Sequence, residues 1–445
     1  MEPLFLAVIC ACEAGLFREA LHKVYIPRIQ RGDTYFAANV LGARKSLLAV
    51  LVHFFEQGRW SSPLECGVEE QSLTVEDQLF VLMQAGLYLT ATRGLGAPEA
   101  QICHERVVSL CHTLNRLPPY SALIGQWRYS LVTDKLSATM QIAERIHALA
   151  QEQNDPALLM GAYRALANTL YFSGKFELAR QYAMRGLQIW RSGIVKSPTE
   201  EVTAYGVVFL YIGALTEWHL GEIASCQATI AEAISLAEEL SDTHGLALSL
   251  YFAGSLSHFQ RNPAEVERMA SALIELSARH NFAYWLAAGV ILRGWALSAS
   301  ANTAEGIPWI ERGIKDYRAT GSVLPLQYML ALKAEALHLA DRTSEALEAI
   351  REAEALAERL EERWWSAELH RLHGVLLSTT GGEETQIEAS FGEAIRIARE
   401  QKSVSLEKRA EGTYAEYRRQ KVGGSGGRRF RPPLWLMDQN IFAKS

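Results

Sequence analysis

The sequence predicts an all-α protein, an α-solenoid of helical hairpins with a period of about 40 residues. Three observations predict it. Gly94, Asp134, Gly174, Gly221, Arg261, Ala301, Asp341 and Gly381 recur at intervals of 40, 40, 47, 40, 40, 40 and 40 residues, each where one helix should turn into the next. Apolar residues follow the 3.6-residue helical period nearly throughout. Strand signals are almost absent, with no sustained alternation and no Asn-Gly or Asp-Gly between β-branched runs. In such an array each hairpin buries its apolar face only by stacking on its neighbours, so one elongated core serves the whole chain.

Residues 1–75 read as a degenerate helical segment, out of phase with the rest. Within it AGLFREAL (Ala14 to Leu21) is similar to GKFELAR (Gly174 to Arg180), which suggests a decayed first repeat, and SSPLECGVEE (Ser61 to Glu70) reads as a loop. Residues 76–402 hold about eight hairpins: 76–115, 121–152, 157–191, 202–240, 244–280, 283–320, 326–360 and 365–401. The seven extra residues of the 47-residue interval fall in RSGIVKSPTE (Arg191 to Glu200), where Gly193 and Pro198 mark a loop. Residues 403–421 suit a capping helix. Residues 422–445, with GGSGGRRFRPPLW, have linker composition and are expected to be disordered.

Small side chains recur at fixed phase. Seven residues before the turn stand Ala167, Ala214, Gly254, Gly294, Ala334 and Gly374; five after it stand Ala179, Cys226, Val266, Gly306 and Ala346. A small residue at one point of each first helix lets the second helix approach closely. Ala183, Ile230, Ala270, Ile310 and Ile350, four residues further on, share the same helix face.

This pattern resembles that of tetratricopeptide repeats. Gly294, Gly306 and Gly313 fit it in one unit, and Ala334, Ala346 and Ala353 in the next. The resemblance implies a right-handed superhelix, with helices longer than a 34-residue period allows. Further blocks are AGLYLTATRGLGAPEA (Ala85 to Ala100), WLAAGVILRGWALSAS (Trp285 to Ser300), AELHRLHGVLL (Ala367 to Leu377) and EASFGEAIRIAREQKSVSLEKRA (Glu388 to Ala410). These resemble the C-terminal helical-repeat region of bacterial predicted ATPases, STAND-type signalling proteins that often carry a nucleotide cyclase or DNA-binding domain. No GxxxxGK[ST] run is present to cradle a nucleotide's phosphates, so the resemblance extends to a sensor or interaction arm and carries no ATPase or cyclase activity.

Composition excludes several classes. Apolar residues make up 49% of the chain, enough to build a core. Lys plus Arg number 44 against 50 Asp plus Glu, a net charge of −6 that offers nucleic acid or an anionic membrane no general attraction. The longest apolar run, Tyr205 to Leu215, is far short of the ~20 residues that span a bilayer. Cys10, Cys12, Cys66, Cys103, Cys111 and Cys226 form no CxxC and read as reduced thiols of a cytoplasmic protein.

Chemistry-bearing constellations are weak. CHERVVSLCH (Cys103 to His112) holds two Cys and two His, but residues eight apart on a helix are separated by about 12 Å, too far to share a zinc ion. His370 and His373 lie on one helix face near Glu368, without an evident further ligand. No HExxH, no GxSxG and no nucleophile–base pair is present. The chain is therefore expected to be non-enzymatic, with no catalytic, metal or cofactor-binding residues and no cofactor.

The better candidate is a distributed surface. In tetratricopeptide-like superhelices the first helix of each unit lines the concave side. That geometry turns Arg128, Arg164, Asn168, Tyr171, Tyr211, Trp218, Tyr251, His258, Trp295, Tyr328, Glu335, His338 and Arg371 inward. Tyr, Trp and Arg are the residue types enriched at binding hot spots. The expected function is a protein-interaction or sensor module taking a peptide or protein segment in this groove, with no direct nucleic-acid or membrane partner. An attached ATPase or cyclase effector is the association that the resemblance implies. The alternative is a small-molecule-sensing arm of such a regulator.

Overall fold

The computed structural model describes residues 1–39, 41–64, 72–195 and 203–422. Among them every extended element is helical. The first helices are α1 (Glu2–Glu13), α2 (Phe17–Glu19), a wide π-type helix (Ala20–Gln30), α3 (Phe36–Asn39) and α4 (Arg44–Leu51). Eight hairpins follow. They are α5 (Val75–Arg93) with α6 (Pro98–Thr113), α7 (Tyr120–Thr133) with α8 (Leu136–Gln153), α9 (Pro156–Phe172) with α10 (Phe176–Arg191), and α11 (Tyr205–His219) with α12 (Ile223–Glu239). Next come α13 (Thr243–Phe259) with α14 (Pro263–His280), α15 (Ala283–Ala299) with α16 (Thr303–Ala319), α17 (Leu326–Leu339) with α18 (Thr343–Leu360), and α19 (Ser366–Thr380) with α20 (Glu384–Glu400). A last helix, α21 (Val404–Val422), packs on α11, α19 and α20. The fold is an all-α, tetratricopeptide-like solenoid. The tail from residue 423 and part of the loops at 61–70 and 191–200 lie outside the described residues.

The 40-residue marker has a backbone cause. Seven of its eight residues, all but Asp134, hold a positive φ, from 58° at Arg261 to 118° at Gly94. Gly174 N donates to Tyr171 O and Lys175 N to Leu170 O, a Schellman ending that satisfies the last carbonyls of α9. The same pair of bonds recurs at Gly221, Arg261, Ala301 and Asp341. Gly15 closes α1 in the same way, with Leu16 N bonded to Ala11 O, and α1 packs back on the helix at 20–30. The sequence similarity of 14–21 to 174–180 thus reflects a shared helix ending.

The two helices of a hairpin differ in burial. Of the 17 residues of α13, fourteen are buried, on every side of the helix. Its partner α14 buries five of 18, chiefly the stripe Val266, Ala270, Leu273 and Ser277. First helices therefore form an inner layer and second helices an outer one. Gly294 and Gly306 set the closest approach between layers: a Cβ on Gly294 would stand 2.6 Å from the Gly306 carbonyl oxygen. Two apolar cores result, which meet within α7. One joins the N-terminal segment to the first hairpin, and the other runs from Ile124 to Tyr417.

Candidate functional site

Of the thirteen residues expected to line an open groove, only His338 is partly exposed; the other twelve are buried. All thirteen sit on first helices of their hairpins. The expectation of a solvent-filled groove fails because the superhelix closes on itself. Val132 O, at the end of α7, accepts from Val323 N at 2.8 Å and Leu324 N at 3.3 Å in the loop before α17. Phe172 O, at the end of α9, accepts from Arg363 N at 2.9 Å and Trp364 N at 3.2 Å in the loop before α19. Trp218 O in α11 accepts from Ser405 Oγ at 2.5 Å, and Phe259 O in α13 from Arg409 Nη2. Each contact links a first-helix end to chain roughly four to five hairpins later, so successive turns of the superhelix touch. Of these closing residues only Trp218 was among the thirteen, and it closes through its backbone carbonyl.

Closure drives aromatic side chains into the axis. Trp365 stacks on Phe259 with ring centres 4.6 Å apart, and Trp218 lies 4.8 Å from Phe259. Tyr328 and Tyr171 pack on Trp364 at 5.5 and 5.6 Å. Tyr211 stacks on Phe252 at 4.5 Å, and Tyr251 meets Trp285 at 5.7 Å. The Trp364-Trp365 doublet lies between hairpins, where periodicity assigns no face. Only the doublet itself was a signal.

A charged centre lies among these rings. Arg261 Nη1 donates to Glu335 Oε2 at 2.6 Å, and its Nη2 to Glu368 Oε1 at 3.0 Å. Arg371 Nε and Nη2 hold both Glu368 oxygens at 2.8 Å, and Arg371 Nη1 reaches Thr413 Oγ1 at 3.3 Å. Arg409 approaches Glu368 Oε1 at 3.4 Å, and Trp295 Nε1 donates to Glu335 Oε2 at 2.9 Å. Burial by itself would raise both carboxyls. Arg261 outweighs it at Glu335 and holds that group well below the carboxylate range. At Glu368, Arg371 and Arg409 bring the value down to about 2.

His258 joins the same cluster as a neutral ring. Arg261 Nη1 lies 3.1 Å from its Nε2 and can only donate, so Nε2 accepts and the proton sits on Nδ1, 3.0 Å from Tyr328 OH. The 3.4 Å approach of Nε2 to Glu335 then brings two acceptors onto one guanidinium. Burial, with Arg261 and Arg409 nearby, lowers His258 to about 4 despite Glu335. The charge that keeps Glu335 ionised at neutral pH is therefore Arg261's.

A second polar group lies toward the N-terminal end. Asp242 caps α13 by accepting from Gly245 N at 2.8 Å, and it also accepts from Ala204 N at 2.7 Å. Trp285 Nε1 donates to His244 Nε2 at 3.0 Å, so Nδ1 carries the proton toward Thr203 Oγ1 at 2.9 Å. Burial, then Arg44, Arg128 and Arg164, hold His244 well below its ordinary value. Asn168 receives the Tyr211 hydroxyl and donates to Arg164 O at 2.9 Å. Arg164 lies 5.4 Å over the Tyr205 ring.

Elsewhere, His370 and His373 share Glu354 Oε1 at 3.4 and 2.9 Å. Cys103, His104 and Cys111 are buried in α6. Among the described residues no three His, Cys, Asp or Glu side chains gather as a metal site, and no helix is long and apolar enough to cross a membrane.

The sequence model of one family, anaphase-promoting complex subunit 5, matches residues 194–260 and 361–410. An uncharacterized protein of Rhizobium meliloti (strain 1021) is 22% identical over 349 residues, 78% of this chain; the match spans 34% of that protein's length. Two solved structures are similar in fold. A Rap protein complexed with competence and sporulation factor gives a TM-score of 0.56 at 12% identity, covering 82% of this chain and 96% of that one. NprR in complex with its cognate peptide NprX gives 0.51 at 12% identity, covering 80% and 94%. At these identities the likeness concerns the fold.

Proposed function

We propose that this chain is a non-enzymatic, cytoplasmic sensor or interaction module, which binds a peptide or protein segment along its inner face when the superhelix opens. One observation carries the reading: the inner face is polar and aromatic where a purely structural axis would be aliphatic. Three arginines, two ionised glutamates and a neutral histidine are buried among Trp and Tyr rings. Replacing a buried ion cluster by apolar side chains is often neutral or stabilising, so such a centre contributes little to holding a fold closed. When hydrated, the same Arg, Tyr and Trp side chains have the composition of a binding hot spot. The two similar structures carry a bound factor and a cognate peptide, which suggests the ligand class. Partner binding would then shift the population between closed and open superhelices through differential affinity, and pass occupancy to an attached ATPase or cyclase effector.

The test is a peptide-display selection on the folded chain, followed by hydrogen exchange with and without the selected peptide. The amides of Arg363 and Trp364, which close onto Phe172, should lose protection on binding. A selection without binders, or binders that leave those amides unchanged, would sink the reading.

A further inference from the structure

Between α16 and α18, the second helices of the sixth and seventh hairpins, lies a cleft of about 450 Å³. Arg318, Ser322, Val323, Leu326, Leu356 and Arg359 are among its lining residues. Ligand sites commonly measure ~300–1,000 Å³. Val323, Leu326 and Leu356 supply apolar wall, and all but Val323 of these three are buried at that surface. Arg318 is paired with Glu352, which also lines the cleft. Arg359 is exposed and makes no ion pair among the described residues. Two guanidinium groups against one carboxylate leave the cleft with a single excess positive charge. The Val323 amide is the one that closes onto Val132 O, so the cleft adjoins a contact between superhelical turns.

We propose that this cleft binds a carboxylate attached to a compact apolar group, its carboxylate on Arg359 and Arg318 and its apolar body against Leu326 and Leu356. Guanidinium groups bind carboxylates as paired donors. A dianionic phosphate would suit the site worse, because Glu352 opposes its second charge and much of the lining is apolar. The ligand could be the free C-terminus of a peptide or a free apolar acid, and the chemistry is shared. This site is separate from the buried inner face and does not depend on its opening.

Calorimetric titrations of the full chain with N-acetyl-leucine, N-acetyl-leucine amide, a pentapeptide ending in free leucine and inorganic phosphate test the assignment. At least one free carboxylate should bind, and the amide should bind at least ~10-fold more weakly. A tighter pentapeptide identifies a peptide terminus, and a tighter acetyl-leucine a free acid. Arg359→Gln, at an exposed position, should cost about 10-fold in affinity with an unchanged circular dichroism spectrum. Equal binding of acid and amide, stronger binding of phosphate, no effect of Arg359→Gln, or no binding up to ~10 mM would each overturn the proposal.

Discussion

Arg261 ends α13 with a φ of 58° and places Nη1 2.6 Å from Glu335 Oε2, on a helix two hairpins further on. The position is glycine at four of the eight equivalent turns, so its side chain is present at a backbone cost. That side chain also reaches Glu368, and it ties three hairpins together. Arg261→Gly should relax the turn by roughly 1 kcal/mol. It should still destabilise the chain by about 2–4 kcal/mol net, since two buried carboxylates lose a cation. Urea unfolding of Arg261→Gly and of Arg261→Met with Glu335→Leu measures it. The double variant should be less destabilised than the sum of its single changes.

Acid should weaken the fold in two stages. His258 titrates near 4 in the folded state against about 6.5 unfolded, so the unfolded chain binds the additional proton between these values. Stability therefore falls as pH drops from 6.5 toward 4, by up to about 3 kcal/mol from this residue. Glu368 is depressed to about 2, and its contribution is lost below the unfolded carboxylate value of ~4.3. The thermal midpoint of Glu362→Gln, which lacks the opposing titration of the buried Glu362 carboxyl, should decline as pH falls from 6.5 to 3.

Glu362 should act on the alkaline side. Burial raises its carboxyl to about 8, although Trp364 Nε1 donates to it at 2.6 Å and tends to lower it. The folded state holds a proton that the unfolded state releases, so stability falls as pH rises toward 8, at about 1.4 kcal/mol per unit. Glu362→Gln keeps an acceptor for Trp364 and should remove the slope between pH 6.5 and 8. An unchanged slope in the variant would refute this assignment.

Closure can be loosened without disturbing the hairpins. Lys402 pairs with Glu177 at 2.7 Å across superhelical turns, and Ser405 Oγ donates to Trp218 O. Lys402→Glu with Ser405→Ala should increase the radius of gyration in solution scattering while leaving helix content unchanged. Ser405→Ala alone should cost roughly 1–3 kcal/mol, because the Trp218 carbonyl loses a buried donor.

Gly294→Ala should be disruptive although alanine favours helices. Its methyl would meet the Gly306 carbonyl, so α15 and α16 must separate. A loss of about 1–3 kcal/mol in urea is expected.

Much of the architecture was legible in the chain. At seven of its eight turns the spacing recorded a residue at positive φ, which local sterics restrict wherever it occurs, and the small residues recorded helix contact within a hairpin. The hairpin bounds agree with the spacing to within three residues. The residues expected to line an open groove lie in first helices, but twelve of the thirteen are buried. Alanine at Trp218, Tyr251 or Trp295 would therefore perturb a core before it reported on a partner. Arg409, Ser405 and Trp364 carried no periodic signal, because they close onto Phe259, Trp218 and Phe172, roughly four to five hairpins away.

The sequence by itself determined the class of fold and its repeat unit. Those properties depend on contacts between residues close in the chain or one repeat apart, where helical geometry fixes the spacing. Only the tertiary structure decided that the inner face is filled and charged. The rise and twist accumulated over several hairpins determine whether successive turns touch, and no local pattern encodes that sum.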